Sequence, residues 1–177
     1  MVAAAVLLEP GAEGLSGARD SKLLSAARRE ALFAAIRAGA VAVSLAWAYP
    51  RRIEETNILE ATLAAMRRAV SRLPPADLVL VDGPRRIPGL RRPQLALVGG
   101  DGLSLAVACA SIMAKVVRDR WMGFLERRYP GYGLARHKGY GTALHLERLS
   151  LLGPSPAHRR SYAPVRDLLS PEVKPPA

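Results

Sequence analysis

The 177-residue sequence has few aromatic residues, a single cysteine and no long apolar run. Because Cys109 has no second cysteine to pair with, an intramolecular disulfide is excluded and a reducing compartment is favoured. Its apolar neighbours predict a small, buried side chain. No apolar stretch approaches the roughly 20 residues that cross a bilayer, and residues 1–8 lack the basic flank of a signal peptide. We therefore expect a cytoplasmic protein with no membrane partner.

Acidic residues are also scarce. The sequence has 15 of them and 26 basic residues, which gives a formal net charge of +11. Such a charge favours a polyanionic partner, of which nucleic acid is the commonest. Residues 115–177 hold 12 basic and 5 acidic side chains, so the C-terminal third is the better candidate for a phosphate-facing surface. Only four basic residues are lysines. The arginine content alone would equally fit a structural or ribosome-associated protein.

Apolar patterns typical of strands and of helices alternate along the chain, which indicates an α/β fold. The length suits one domain, which we assign to residues 1–168, and the proline-rich residues 169–177 are predicted to be a disordered tail. Asp20 or Ser21 is the predicted N-cap of the first helix, and Pro50 is predicted to end a strand. Strands are predicted at 2–8, 41–48, 78–81 and 95–98, and helices at 26–38, 58–73, 104–125 and 145–152.

Two aspartates follow consecutive apolar runs. Asp82 comes directly after residues 78–81, and Asp101 follows residues 95–98 through two glycines. If both runs are strands, both carboxylates lie at strand ends, where α/β sheets place their chemistry and where two carboxylates can share a divalent cation. Taken alone, Asp82 before Gly83 would more simply begin a turn.

Seven short motifs in order along the chain carry the most specific signal. They are Asp20-Ser21-Lys22, Glu55-Thr56-Asn57-Ile58-Leu59, Val81-Asp82-Gly83, Ala110-Ser111-Ile112 with Lys115-Val116 and Arg118-Asp119, Tyr129-Pro130-Gly131-Tyr132-Gly133, His137-Lys138-Gly139-Tyr140-Gly141-Thr142, and His158-Arg159-Arg160-Ser161. Together they resemble bacterial ribonuclease HII. The resemblance implies a ribonuclease H-like mixed sheet flanked by helices. It also implies an endonuclease, with Mg²⁺ or Mn²⁺ as cofactor, that cleaves the RNA strand of RNA/DNA hybrids and single ribonucleotides embedded in duplex DNA.

The resemblance assigns Asp82 and Asp101 as the third and fourth of four catalytic, metal-binding carboxylates. Gly99 stands where the family usually has lysine. The first two family carboxylates are an adjacent Asp and Glu on a central first strand, followed by a Gly-Arg-Gly loop, and this sequence contains neither. We therefore expect a chain truncated by that strand, through a misplaced gene start or a true deletion, that is inactive and unstable as it stands.

The resemblance also implies contacts with the substrate. Tyr140 is expected to stack on a nucleotide, although a large aromatic in a glycine-flanked loop can also be a buried anchor. Phosphate contacts are expected from Ser21, Lys22, Lys138, Arg159 and Arg160, although an adjacent arginine pair is often only exposed surface.

The remaining expectations concern the histidines and the assembly. His137, His145 and His158 lack any ligand spacing with the aspartates, so we expect structural or surface roles for them rather than a zinc site. We expect a monomer. A non-catalytic basic nucleic-acid-binding protein, or a pseudogene fragment, is the alternative function.

Overall fold

The computed structural model describes residues 1–18, 21 and 23–170. It divides the chain into two compact units, the first formed by residues 1–48 and 59–118 and the second by residues 49–58 and the described residues from 119 onward. Among the described helices, none combines the length and the apolar composition that crossing a membrane requires.

Four strands lie in the first unit, at the four places where apolar runs predicted them. Strand β1 (Val2–Leu7) pairs antiparallel with β2 (Ala42–Trp47). Strand β3 (Val79–Asp82) pairs in parallel with β4 (Gln94–Leu97). Within the described part of the chain, each pair forms its own two-stranded sheet.

Eight α-helices and one short 3-10 helix, Glu13–Leu15, occur in the described residues; the α-helices are numbered in chain order. They are α1 (Ala26–Gly39), α2 (Pro50–Glu55), α3 (Ile58–Ser71), α4 (Gly100–Leu103), α5 (Leu105–Arg128), α6 (Leu134–His137), α7 (Ala143–Leu152) and α8 (Ala163–Leu169). The sequence pattern predicted the four longest but not α2, α4, α6 and α8. Helices of four to seven residues are too short to show an apolar periodicity. Pro50 begins α2, because a proline at the first helical position loses no intrahelical bond.

The core of the first unit forms where α1 and α5 pack together. Phe33 and Ile36 of α1 meet Cys109, Ile112 and Met113 of α5, and all five are buried. Small side chains in the first half of α5 let the helices approach closely. Burial raises the pKa of the Cys109 thiol to about 11, so it stays protonated at neutral pH, which confirms the predicted small, buried cysteine.

The predicted N-cap of α1 was wrong. The helix begins at Ala26, and the Oγ of Ser25 accepts the amide N–H of Arg28 at 3.2 Å. A capping side chain must directly precede the helix to reach the amides of its first turn, and Ser21 lies too early for that. The other predicted cap, Asp20, lies outside the described residues, as does the part of the predicted tail at 171–177.

The core of the second unit is smaller. Tyr132, Leu134, Leu149 and Val165 are buried together. The Tyr132 hydroxyl donates to the carbonyl oxygen of Gly153 at 2.7 Å, and burial raises the pKa of that hydroxyl. This bond ties the loop before α6 to the end of α7.

Candidate active site

Asp82 and Asp101 lie at the carboxyl end of the parallel pair β3–β4. Asp82 is the last residue of β3 and stands opposite Leu97, the last residue of β4. The amide N–H of Gly83 donates to the Leu97 carbonyl at 2.8 Å, so pairing continues past the strand. After β4 the chain turns into α4, whose first turn contains Asp101. The parallel pairing therefore brings the two predicted aspartates together.

A glycine fixes the position of the Asp82 carboxylate. The amide N–H of Gly100 donates to Asp82 Oδ1 at 3.1 Å. A Cβ at position 100 would lie 3.1 Å from Val107 and 3.2 Å from Leu97, which is tighter than most real contacts. Gly100 thus allows a close approach that holds Asp82 against the residue preceding Asp101. The Asp101 side chain is buried, whereas Asp82 is exposed.

The donor set suits part of a divalent-cation site. Mg²⁺ and Mn²⁺ prefer oxygen ligands, and the carboxylates of Asp82 at the end of β3 and Asp101 at the start of α4 provide them. Among the described residues, however, no group of three or more His, Cys, Asp or Glu side chains is placed to hold a metal ion. Asp82 and Asp101 therefore do not by themselves complete a two-ion site.

An apolar cavity of about 340 Å³, here named the strand groove, lies between β1 and β3. Every residue from 2 to 8 lines it, as does every residue from 78 to 82. Successive side chains of a strand point to opposite faces, so lining by consecutive residues means that strand edges border the groove. The other walls come from α3 and α5, through Thr62, Met66, Val70, Ala106, Val107, Ala110, Ser111 and Ala114.

The outer edge of the β1–β2 sheet differs from the edge at the groove. Arg68 donates to the carbonyl of Trp47 at 2.5 Å, and Arg72 donates to the carbonyl of Leu45 at 3.0 Å. These two side chains, one in α3 and one directly after it, cover two acceptors on the edge of β2, which hinders addition of another strand there. In the described residues, β1 pairs only with β2, and its other edge faces the strand groove.

Tyr140 lies in the loop between α6 and α7, with 62% of its surface exposed. Lys138 of the same loop has a left-handed backbone, with φ of 54°, and its Nζ donates to the Ala135 carbonyl at 2.5 Å. A Cβ at Gly141 would collide with the Tyr162 hydroxyl, so a larger residue there would have to displace the Tyr162 side chain. The structure therefore places Tyr140 and Lys138 on one tightly folded loop.

The other predicted phosphate contacts are separated along the chain. The Arg159 guanidinium lies 5.6 Å from the centre of the Tyr162 ring, and the Arg160 amide donates to the Glu54 carboxylate. Ser21, in the first unit, is buried with its Oγ 2.9 Å from Ser111 Oγ. The remaining candidate, Lys22, lies outside the described residues.

Sequence reasoning missed the contacts that the three histidines make. His137 and His145 are buried, and their rings stack with centroids 4.1 Å apart. His145 Nε2 lies 3.1 Å from His158 Nε2. Burial is the main cause that lowers the pKa of both His145 and His158. Spacing along the sequence gave no signal of this cluster, because loop geometry brings the rings together.

Comparisons with known proteins agree with this geometry. A family model described as Ribonuclease HII matches residues 1–165. The chain is 52% identical over 170 residues to Ribonuclease HII of Maricaulis maris (strain MCS10), covering 96% of this chain and 77% of that protein. It is 51% identical over 175 residues to Ribonuclease HII of Acidovorax sp. (strain JS42), covering 98% and 82%.

Solved structures show the same fold. The ribonuclease H2 of Pyrococcus horikoshii OT3 superposes with a TM-score of 0.78 at 25% identity, over 94% of this chain and 88% of that one. The ribonuclease HII solved in a complex with PCNA from Archaeoglobus fulgidus gives a TM-score of 0.74 at 25% identity, over 94% and 87%. The α/β, ribonuclease H-like fold is confirmed, and the chain belongs to the ribonuclease HII family of endoribonucleases.

Proposed function

We propose that this protein cleaves the RNA strand of RNA/DNA hybrids and single ribonucleotides embedded in duplex DNA, in a reaction that depends on Mg²⁺ or Mn²⁺. The observation that carries the proposal is the placement of Asp82 at the end of β3 and of Asp101 in the helix that follows the paired strand β4, with the amide of Gly100 bonded to Asp82. In two-metal hydrolysis, the ions activate water and stabilise the leaving oxygen. Asp82 and Asp101 would supply two of the carboxylate ligands.

We further propose that the remaining ligands come from an additional strand in the strand groove. The groove is bordered by one edge of β1 and one edge of β3, so a strand there would pair on both sides and join the two sheets. Asp82 lines the groove, and carboxylates on the inserted strand would therefore lie beside it. Small groove-lining residues of α5, such as Ala110 and Ala114, leave room for its side chains.

Without that strand, we propose that the 177-residue chain does not cleave. Two aspartates offer too few oxygen ligands to hold the cations that such a hydrolysis would use. The open strand edges also cost stability, because a buried unpaired backbone group costs roughly 1–3 kcal/mol.

Most of the substrate contacts are proposed on the second unit. The exposed Tyr140 ring would stack on a sugar or base, and Lys138 would contact a phosphate. Arg159 and Arg160 would add further phosphate contacts, and Ser21 and Lys22 the remaining ones. Phosphate contacts position a duplex without reading its sequence, so we expect little sequence preference. The net charge of +11 supports binding to such a polyanion.

The test compares three proteins on a DNA duplex that contains one ribonucleotide, with Mg²⁺ or Mn²⁺ present. The first is the 177-residue chain. The second, here named the extended chain, carries an added N-terminal strand with adjacent Asp and Glu, followed by a Gly-Arg-Gly loop. The third carries the same strand with Asn and Gln in place of the acids. Only the extended chain is expected to cleave, and cleavage by the 177-residue chain would refute the requirement for the strand.

A second candidate function is binding of nucleic acid without cleavage. The lack of a third metal-binding side chain among the described residues favours it. It predicts that a folded extended chain binds the duplex but leaves it intact in the presence of either Mg²⁺ or Mn²⁺. An all-DNA duplex is the control, since a ribonuclease must leave it uncut.

A further inference from the structure

The three histidines of the sequence form one cluster in the second unit, through one ring stack and one hydrogen bond. His137 stacks on His145 with an interplanar angle of 17°, and His145 bonds to His158 through their Nε2 atoms at 3.1 Å. We name these three side chains the histidine network. Nothing in the proposed cleavage chemistry uses them.

Hydrogen-bond partners determine which nitrogen of each ring carries the proton. His145 Nδ1 lies 2.9 Å from the carbonyl oxygen of Tyr140, which can only accept, so Nδ1 must donate. A neutral His145 then has an unprotonated Nε2 that accepts a hydrogen bond. Its partner, His158 Nε2, must therefore carry the proton.

The remaining contacts agree with this assignment. His158 Nδ1 accepts from the amide of Ser155 at 3.1 Å and lies 2.8 Å from its hydroxyl. His137 Nδ1 accepts from the amide of Gly139 at 3.2 Å, and His137 Nε2 donates to the carbonyl of Tyr132 at 2.7 Å. All six ring nitrogens thus have a partner of the right polarity when all three rings are neutral. An added proton on His145 Nε2 would set two donors against each other.

The network holds the backbone of the loop on which Tyr140 lies. His145 binds the Tyr140 carbonyl, and His137 binds the amide one residue earlier, at Gly139. Lys138, between His137 and Gly139, has a left-handed backbone. This conformation is unusual for a residue other than glycine and persists where the surroundings impose it. The loop conformation is therefore tied to the ring tautomers.

We propose that the histidine network is a positioning device that sets the direction of the Tyr140 ring toward nucleic acid, with His158 acting through His145. The inference rests on the proposed contact between Tyr140 and the substrate. His137 and His145 are positioning residues that contact the loop directly. His158 bonds to His145 and to Ser155, and it would act on the loop through the tautomer of His145.

The tautomers can be measured directly. Nitrogen NMR of protein labelled at histidine shows only three rings, and single substitutions assign them. At neutral pH we expect the proton on Nδ1 of His145 and on Nε2 of both His137 and His158. The measurement is made on the 177-residue chain and on the extended chain. A charged ring, or a proton on His145 Nε2, would overturn the proposal.

A double-mutant cycle tests the link to Tyr140, with binding to the ribonucleotide-containing duplex in metal-free buffer as the readout. We expect His158→Leu to weaken binding about tenfold, because stacking of one base on an aromatic ring is worth a similar factor. In the Tyr140→Ala background it should have no further effect. Equal losses in both backgrounds would mean a merely structural role and would refute the proposal.

A conservative variant and an independent readout complete the design. His158→Gln keeps a donor for His145 Nε2, so it should restore most of the binding that His158→Leu loses. Thermal denaturation checks that each variant is folded. If Tyr140→Ala itself leaves binding unchanged, the proposed role of Tyr140 fails, while the NMR experiment still decides whether the network exists.

Discussion

The strand groove and the histidine network differ in how their polar groups are paired. In the network, every ring nitrogen meets a partner of the right polarity, and no buried side-chain nitrogen or oxygen in the described residues lacks one. At the groove, β1 and β3 each pair along one edge while the other edge borders an apolar cavity. Because buried backbone groups need partners, this difference supports the proposal that the groove receives another strand. The network, in contrast, is complete with the residues it has.

The largest expected effect comes from removing a groove carboxylate in the extended chain. Asp82→Asn should lower metal-dependent cleavage on the order of a thousandfold, because a metal ion supplies several kcal/mol of charge stabilisation. The amide oxygen can still accept the Gly100 N–H, so folding should be unaffected. Asp77→Asn, just before β3 and also exposed, is the matched control. Equal activity of the two variants would remove Asp82 from the site.

Filling the groove should also raise thermal stability. We expect the extended chain to melt roughly 10 °C above the 177-residue chain, because several buried backbone groups gain partners. A control extension of equal length made of glycine and serine should give no such gain. If the two extensions stabilise equally, the groove does not bind a strand.

Acidification should weaken the second unit through the histidine network. Burial lowers the folded-state pKa of His145 and His158 below the ordinary value of 6.5, so the unfolded chain binds more protons as the pH falls through that value. Stability is therefore full above about pH 7.5 and decreases below 6.5. The groups against the pair are the Tyr132 ring, the Tyr140 carbonyl and Ser155, which carry no charge in this pH range, and His137, whose Coulombic interaction lowers the pKa of both further.

We expect the melting temperature to fall by roughly 5 °C between pH 7.5 and pH 5.5, as measured by circular dichroism. The double variant His145→Gln with His158→Gln starts from a lower stability but should lose much less over the same range. A wild-type slope that matches that of the double variant would show that the network does not titrate.

A smaller effect is expected in the first unit, where the hydroxyls of Ser21 and Ser111 already bond to each other. Ser111→Ala removes the partner of the buried Ser21 hydroxyl and should cost about 1–2 kcal/mol in urea denaturation. The double variant with Ser21→Ala should recover part of that loss, because it leaves no unpaired group. Additive losses would mean that the two hydroxyls do not interact.

The smallest effect is expected on the surface of the second unit. Glu55 accepts from Arg51 at 2.9 Å, and this bond lowers the pKa of its carboxylate, but both side chains are exposed. Exposed ion pairs contribute little, so Glu55→Gln should leave the melting temperature unchanged within error. A clear loss of stability would show that the ion pair stabilises α2 more than the exposure of its side chains indicates.

The sequence predicted the features that depend on local pattern. Apolar runs located all four strands, and the parallel pairing of β3 with β4 then explains why Asp82 and Asp101 meet. The histidine network could not be predicted in this way, since a ring stack joins residues 8 positions apart and a side-chain hydrogen bond joins residues 13 positions apart. The N-cap of α1 was missed because several polar residues precede the helix and only geometry selects Ser25.

Amide hydrogen exchange of the first unit tests the central claim most directly. The 177-residue chain and the extended chain are compared at the amides of β1 and β3 that face the strand groove. We predict that these amides exchange fast in the 177-residue chain and become protected in the extended chain, while the amides that already pair β1 with β2 change little. Unchanged exchange at both groove edges would contradict the conclusion that the groove receives a strand.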